Sequence, residues 1–392
     1  MNYRQLGRTG LMVSEIGFGG EWITGTDRES DKKLLKEAEA NGINILDCWM
    51  ANPDVRSSIG EALEGSRDKW IIQGHIGSVW RKEINQYAQS RDLNEVKPAF
   101  EDLLARLRTD YIDLGMMHFI DSEKLWDDVQ TNGFVDYVKS LKAEGRIHHI
   151  GLSTHNPIIG IKAAESGFVD VILFSLNPAF DLKAPTENID EFFVDVYEED
   201  LSGIDPVRAR FYQVCEREGV AITVMKPFAG GRLLDASTSQ FGAALTPVQC
   251  IHYCLDKPGV AAVMCGYTTP EHVRQAVRYN SVPVGTDLQP ATEEEKDYAT
   301  VLAGAPKHAF SGQCTYCGHC SPCPMGIEIN TVNKYFDLAK MQDEIPDSIR
   351  DHYASLDHHA GECVGCRSCE SRCPFNVVIS ERMKLTAELF GL

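Results

Sequence analysis

The sequence predicts an α/β chain: a closed (β/α)8 TIM barrel followed by a smaller, mainly helical, cysteine-rich domain. Three observations carry this expectation. Eight short apolar runs alternate with segments of helical period from the start of the chain to Arg278. Two long insertions each follow a strand, which places both on the face where barrel sites form. Eight of the thirteen cysteines then gather in two runs near the C-terminus.

Taken in order, Tyr3-Arg-Gln-Leu-Gly-Arg-Thr-Gly10 is polar and turn-rich, and is expected to form a hairpin closing the barrel floor. Val13–Phe18, Ile43–Leu46, Trp70–Ile72, Ile112–Met117, Ile150–Ser153, Val171–Leu176, Ile222–Met225 and Val260–Met264 read as buried parallel strands. Helical period marks Asp31–Ala40, Val96–Leu107, Phe134–Glu144, Val207–Glu218 and Pro270–Arg278. An unbroken alternation of this length favours a closed barrel over an open sheet. The insertions are Ser78–Asn94, after the third strand, and Ala179–Asp205, after the sixth. Val282–Glu295, with its prolines, glycine and acidic run, reads as a linker. The expected division is residues 1–285 for the barrel and 286–392 for the cysteine-rich domain.

Net charge over the 392 residues is −19, which argues against nucleic acid and anionic membrane as partners. No apolar run approaches the length of a membrane span. The chain opens without a signal peptide, so a reducing cytoplasm is the expected compartment.

The cysteine runs are Cys314-Thr-Tyr-Cys317-Gly-His-Cys320-Ser-Pro-Cys323-Pro324 and Cys363-Val-Gly-Cys366-Arg-Ser-Cys369-Glu-Ser-Arg-Cys373-Pro374. Three thiolates on one turn reach three irons of a [4Fe-4S] cube, and a distant cysteine closes the fourth corner. The spacing therefore predicts two [4Fe-4S] clusters in a ferredoxin-like dicluster domain. Crossing the fourth ligands assigns Cys314, Cys317, Cys320 and Cys373 to one cube, and Cys363, Cys366, Cys369 and Cys323 to the other. Structural zinc pairs its ligands into tetrahedral sets, and neither triplet divides that way. Cys48, Cys215, Cys250, Cys254 and Cys265 lack ligand spacing and read as buried apolar side chains.

The segments Tyr3–Ser14, Asp110-Tyr-Ile-Asp-Leu-Gly-Met-Met-His118, Gly145-Arg-Ile-His-His-Ile-Gly-Leu-Ser153 and Met225-Lys-Pro-Phe-Ala-Gly-Gly231 resemble the aldo-keto reductases, in particular the branch with a C-terminal dicluster ferredoxin domain. The resemblance implies an Asp, Tyr, Lys, His tetrad in which tyrosine protonates a carbonyl as hydride arrives from NAD(P)H. Asp47 and His118 match the aspartate and histidine. Asn52 stands where the tyrosine belongs, and His75 where the lysine belongs. Asp47, His75 and His118 all end barrel strands, the position from which catalytic residues come in this fold. A histidine is the expected general acid, its pKa raised by Asp47 nearby.

The turn Cys265-Gly266-Tyr267-Thr268-Thr269-Pro270 opens a helix after the last strand and is a candidate phosphate site. Lys226, Gly230, Gly266, Thr268, Thr269 and Arg274 are the candidate cofactor contacts. Gly266 and His272 replace the lysine and arginine with which many family members grip the 2′-phosphate of NADP. Single-electron clusters and two-electron acceptors point to a flavin such as FMN as a converter, with NAD(P)H as the alternative. Trp22, Trp49 and Phe119 are candidate walls of an apolar pocket. The function expected is an iron–sulfur oxidoreductase acting on a small molecule, with a ferredoxin or flavoprotein as electron donor. The alternatives are a conventional NAD(P)H-dependent carbonyl reductase with a rebuilt proton donor, and a non-catalytic electron-transfer module.

Overall fold

The structure, a computed structural model, describes residues 1–188, 190–191, 204–298, 301–302, 314, 320–340, 344–345, 347–373 and 377–392. Cys317, and residues 189 and 192–203 of the Ala179–Asp205 insertion, lie outside the described residues.

Tyr3–Gln5 (β1) pairs antiparallel with Met12–Ser14 (β2), as the turn-rich opening implies. Eight parallel strands then close a barrel: Ile16–Gly19 (β3), Ile45–Cys48 (β4), Ile71–Ile76 (β5), Ile112–Met117 (β8), Ile147–Thr154 (β9), Val171–Ser175 (β10), Ala221–Met225 (β11) and Val260–Gly266 (β12). Between β5 and β8, Ser78–Arg81 (β6) and Gln86–Gln89 (β7) form an antiparallel hairpin. The expected strand Val13–Phe18 is thus two strands. Its first half serves the floor hairpin and its second half enters the barrel.

Helices Arg28–Ala40, Leu93–Leu107, Phe134–Ala143, Pro206–Glu218 and Pro270–Val277 fall where helical period predicts them. Four of these starts follow ordinary capping chemistry, and Phe134–Ala143 starts from Gly133 without a side-chain cap. Asp27, Asp92, Asp205 and Thr269 each accept a backbone N–H of the first turn. No described helix is long and apolar enough to cross a membrane.

The barrel interior reads upward at a period of two. Leu6 and Val13 plug the floor beside Ile45, Leu114, Met116, Val171 and Leu173, all buried. Each such side chain contributes roughly 1.5–3 kcal/mol by leaving water. One step up, the same strand faces turn polar: Ile71, Gln73 and His75 succeed one another along β5, and Ile45 is followed by Asp47 on β4. Gly151 makes room for the Met116 sulfur, which a Cβ there would meet at 2.1 Å.

Val282–Glu295, the expected linker, is held against the barrel. Val284 N–H donates to the Asn41 side chain (2.7 Å), Ala291 N–H to Arg278 O (2.6 Å), and Arg278 pairs with Glu295 (2.8 Å). Ala291, Tyr298 and Leu302 join the outer barrel core. The prolines and glycine shape a segment that is fastened down, because its amides find barrel acceptors.

Helices Ile329–Lys340, Asp347–Ala354 and Ile379–Phe390 surround a second apolar core that includes Ile327, Val332, Tyr353, Ile379, Met383, Cys320 and Cys369. This domain lies over the C-terminal face of the barrel. Helix Asp347–Ala354 packs on β7, Thr331 Oγ1 donates to Asp190 (2.9 Å), and Tyr335 and Ile349 meet the barrel-loop residues Phe180, Leu233 and Phe241.

Candidate active site

Asp47, His75 and His118 emerge on adjacent strands β4, β5 and β8, and the structure brings all three into one hydrogen-bonded chain. His75 Nε2 is 3.0 Å from Asp47 Oδ1, and His75 Nδ1 is 2.7 Å from His118 Nδ1. Gln73 donates to the same Asp47 oxygen (3.0 Å) and accepts from Thr223 Oγ1 (2.7 Å), anchoring the chain in the barrel interior. All are buried.

The far end was not legible from motifs. Tyr87, on β7, places its hydroxyl 2.5 Å from His118 Nε2. A phenol from the insertion after β5 therefore occupies the end of the series. What aims it is the turn at Gly77, whose φ is +98°. A Cβ at Gly77 would meet Arg91 Nη1 at 2.8 Å and Ser90 O at 2.9 Å, so only glycine lets the chain leave β5 and fold back over the mouth.

Asn52 is not part of this chain. It is the N-cap of helix Pro53–Ala62, its side-chain oxygen accepting from Asp54 N–H (2.8 Å). The Asn-Pro pair is a helix-start signal in its own right, which accounts for the residue at this position.

Burial dominates the electrostatics. It holds His118 well below the ordinary histidine value, reinforced by His75, Arg91 and His352. For His118 this overturns the expected rise. Burial likewise pushes the Tyr87 phenol above its ordinary range. Arg91, held to about 10 by burial, donates to the His118 and Phe119 carbonyls and fixes the end of β8.

Trp49 lies on the rim, its indole N–H donating to Glu21 (2.8 Å). Its ring stacks on His118 at 6.2 Å and meets Tyr87 edge-on at 5.4 Å. His352, from helix Asp347–Ala354, stacks on Trp49 at 5.4 Å and stands 5.4 Å from Tyr87. Phe119 sits between His118 and His155, and His155 is paired through Nδ1 with Asp121 (2.8 Å). Trp22 packs against Gly266, where a Cβ would meet its indole at 2.8 Å. Sequence reasoning passed over Tyr87, His352 and the Asp121–His155 pair. Position in an insertion after a strand was a usable signal for Tyr87, and none existed for His352.

The candidate cofactor contacts fall in two stretches, one after β11 and one from the end of β12 into the helix that follows. Thr269 caps helix Pro270–Val277, and Thr268 Oγ1 bonds His272 Nδ1 (3.0 Å). Arg274 is held by Glu37 at 2.9 and 3.1 Å. Lys226 and Gly230 lie after β11, both with positive φ, and Asn177 donates to Lys226 O. With Arg274 engaged, these residues do not fit an arginine-gripped 2′-phosphate. The turn keeps only hydroxyls and the helix start.

The cysteines do fit clusters. Cys323, Cys363, Cys366 and Cys369, from both runs, line one cavity beside Met325 and Met383. Among the described residues, no three cysteine, histidine or carboxylate side chains converge as they do around a single ion. Sulfurs spread around a cavity instead of a point suit a cube of irons. Cys314, Cys320 and Cys373 pack on the same apolar core, and Arg372 ties the runs by donating to Cys320 O (2.5 Å) and Pro322 O (2.9 Å).

A closed parallel barrel with an ionisable chain at its strand C-termini, roofed by a cysteine-rich domain, defines the class. Residues 15–246 match the aldo/keto reductase family and residues 311–377 match the 4Fe-4S dicluster domain. The chain belongs to the aldo/keto reductase family and carries a 4Fe-4S dicluster domain. It is similar to the uncharacterized oxidoreductase YqkF of Bacillus subtilis, 30% identical over 180 residues, 45% of this chain and 57% of that protein. It is also similar to L-galactose dehydrogenase of Arabidopsis thaliana, 28% identical over 180 residues, 43% of this chain and 54% of that protein. The chain spans about half the length of the curated relatives it matches. The aldo-keto reductase AKR11C1 from Bacillus halodurans, holo form, superposes with a TM-score of 0.60 at 23% identity, covering 79% of this chain and 98% of that one. At that identity the likeness speaks for the fold alone.

Proposed function

We propose that this chain is an iron–sulfur oxidoreductase that reduces a small organic substrate, or a flavin or nicotinamide bound beside it, at the barrel mouth. Residues 1–285 supply the proton path and residues 286–392 hold the clusters. A ferredoxin or flavoprotein is the external donor in this reading. The observation that carries it is the hydrogen-bonded series Asp47–His75–His118–Tyr87 beneath the cluster domain. The clusters supply single electrons, and the side chains supply the proton.

The series has two self-consistent settings, assigned from hydrogen-bond complementarity. With both imidazoles neutral, Tyr87 O–H donates to His118 Nε2, His118 Nδ1–H donates to His75 Nδ1, and His75 Nε2–H donates to Asp47. One added proton, held on His75 against Asp47, reverses the two bonds nearer the mouth. His75 Nδ1–H now donates to His118 Nδ1, and His118 Nε2–H donates to the Tyr87 oxygen. The phenolic hydrogen is then turned toward the mouth. Donating it to the substrate and refilling the phenol from His118 restores the first setting, with one proton transferred. Burial keeps the phenol protonated and the His118 ring neutral, so the proton passes along the series without resting on His118.

This arrangement argues against a barrel that serves only as a docking platform, which has no use for buried titratable groups in series. A second reading, an NAD(P)H-dependent carbonyl reductase, uses the same relay. In its favour, residues 15–246 match the aldo/keto reductase family. Anaerobic purification with iron, sulfide and flavin analysis, followed by turnover with dithionite or NADPH across carbonyl substrates, separates the readings. Substrate reduction that requires intact clusters supports the first. NADPH oxidation at the same rate by a cluster-free Cys314→Ala, Cys366→Ala chain sinks it.

A further inference from the structure

The two cysteine sets are not equivalent in their surroundings. Cys314 packs against the barrel-loop cluster of Phe180, Leu233 and Phe241 as well as against the C-terminal core. Among the described residues, Cys323 and Cys363 of the other set pack on the C-terminal core and not on the barrel-loop cluster, as does Cys373, so Cys314 is the sulfur that reaches the barrel. Cys366 is exposed, and its neighbour Val364 is 64% exposed. Met325, on the same cavity, is also exposed.

From the apolar cluster on which Cys314 packs, a series of rings leads to the buried hydrogen-bonded chain at the mouth. Tyr335 packs on the same barrel-loop cluster as Cys314. Its ring is 6.4 Å from His352, which is 5.4 Å from both Trp49 and Tyr87. Tyr353, in the C-terminal core with Cys369, also meets Tyr335 at 6.2 Å, so what sets the Cys314 side apart is its packing on the barrel loops.

We propose, building on the oxidoreductase reading, that the two sets have fixed and opposite roles. The Cys323, Cys363, Cys366 and Cys369 set is the solvent edge, at which an external one-electron carrier protein hands over electrons. The Cys314, Cys320 and Cys373 set is the inner one, and Tyr335, His352 and Trp49 span the gap from it to the mouth. The bookkeeping closes. Each passage oxidises the carrier by one electron, and two passages with two protons, one from Tyr87 and one from solvent, reduce a two-electron acceptor at the mouth.

The test is electron paramagnetic resonance on the anaerobic, partly reduced full chain. Cys314→Ser and Cys366→Ser assign the two signals, since each perturbs its own cube. A soluble dysprosium chelate should speed relaxation of the Cys366-dependent signal and leave the Cys314-dependent one nearly untouched. Equal or reversed effects overturn the assignment. Trp49 emission, isolated by difference against Trp49→Phe, should be quenched when clusters are loaded and recover in Cys314→Ser but not in Cys366→Ser. Recovery only in Cys366→Ser overturns it equally. His352→Leu should keep iron, sulfide and both signals and lose dithionite-driven substrate reduction. Unchanged reduction removes His352 from the path and overturns that limb. A screened Cys314 signal in a chain with no turnover leaves the polarity standing and sinks the oxidoreductase reading. Turnover with two equally exposed signals does the opposite.

Discussion

Tyr87 and His118 share a 2.5 Å contact between a phenolic oxygen and an imidazole nitrogen, although one rides on a hairpin outside the barrel sheet and the other ends a barrel strand. The phenol stands at the end of a buried hydrogen-bonded series to which Asn52, a helix cap, does not belong.

Tyr87→Phe removes the terminal hydroxyl and keeps the ring that packs on Trp49 and His352. Turnover should fall by the roughly 10²–10⁴-fold typical of a lost general acid. Iron content and thermal midpoint should barely move, which anaerobic kinetics with iron analysis checks.

His75→Gln and His118→Gln keep hydrogen bonding and cannot relay a proton. The relay is loaded at low pH, so wild-type turnover should fall as pH rises through the titration of the series. In either variant that limb should disappear. Near-normal turnover with an unchanged pH profile in both would show that the proton comes from elsewhere.

Asp351, on the helix that covers the mouth, has its carboxyl pushed up to about 7 by burial and then by Asp347. Its Oδ2 is buried and finds no hydrogen bond. A carboxyl raised on folding holds its proton longer in the folded chain, so stability declines as pH climbs from about 4 through 7. Asp351→Asn should therefore melt higher than wild type at pH 8, with the gain fading toward pH 4. A pH series of melting curves decides it.

Gly77→Ala strains a left-handed turn and pushes into Arg91 and Ser90. A cost of about 1–3 kcal/mol is expected for such a conformation. The hairpin should shift, and turnover should drop with cluster content intact. Hydrogen exchange across β6 and β7 would report the loosening directly.

Cys314→Ala and Cys366→Ala each remove a corner from a different cube. Iron should fall from about eight per chain toward four in either variant, with loss of stability in the C-terminal domain. Two zinc ions and no sulfide in the wild type would overturn the cluster assignment.

The barrel was legible because strands buried on both faces become apolar runs, and because capped helices separate them at regular intervals. Cysteine spacing was equally plain, since cube geometry restricts it. His75 and His118 were found because strand ends point into the mouth. Tyr87 escaped, since a lone tyrosine in a polar insertion has no period, and its aim depends on one turn at Gly77. His352 reaches the site only through packing between domains. Asn52 carried a readable helix-cap signal that outweighs its place in the tetrad pattern. Whether the expected linker is loose or fastened was not legible, because proline and glycine mark irregular backbone in either case.

The stack of His352 on Trp49 has a consequence for how the molecule matures. Ribosomes deliver Trp49 and Tyr87 long before the helix that roofs them, so a newly made barrel stands with its aromatic rim bare. The rim is finished only when the Asp347–Ala354 helix settles between the two cysteine runs that flank it in the chain. Because that helix lies between the two cysteine runs in the chain, any shift of the runs that carries the helix with it is felt directly at Trp49 and Tyr87.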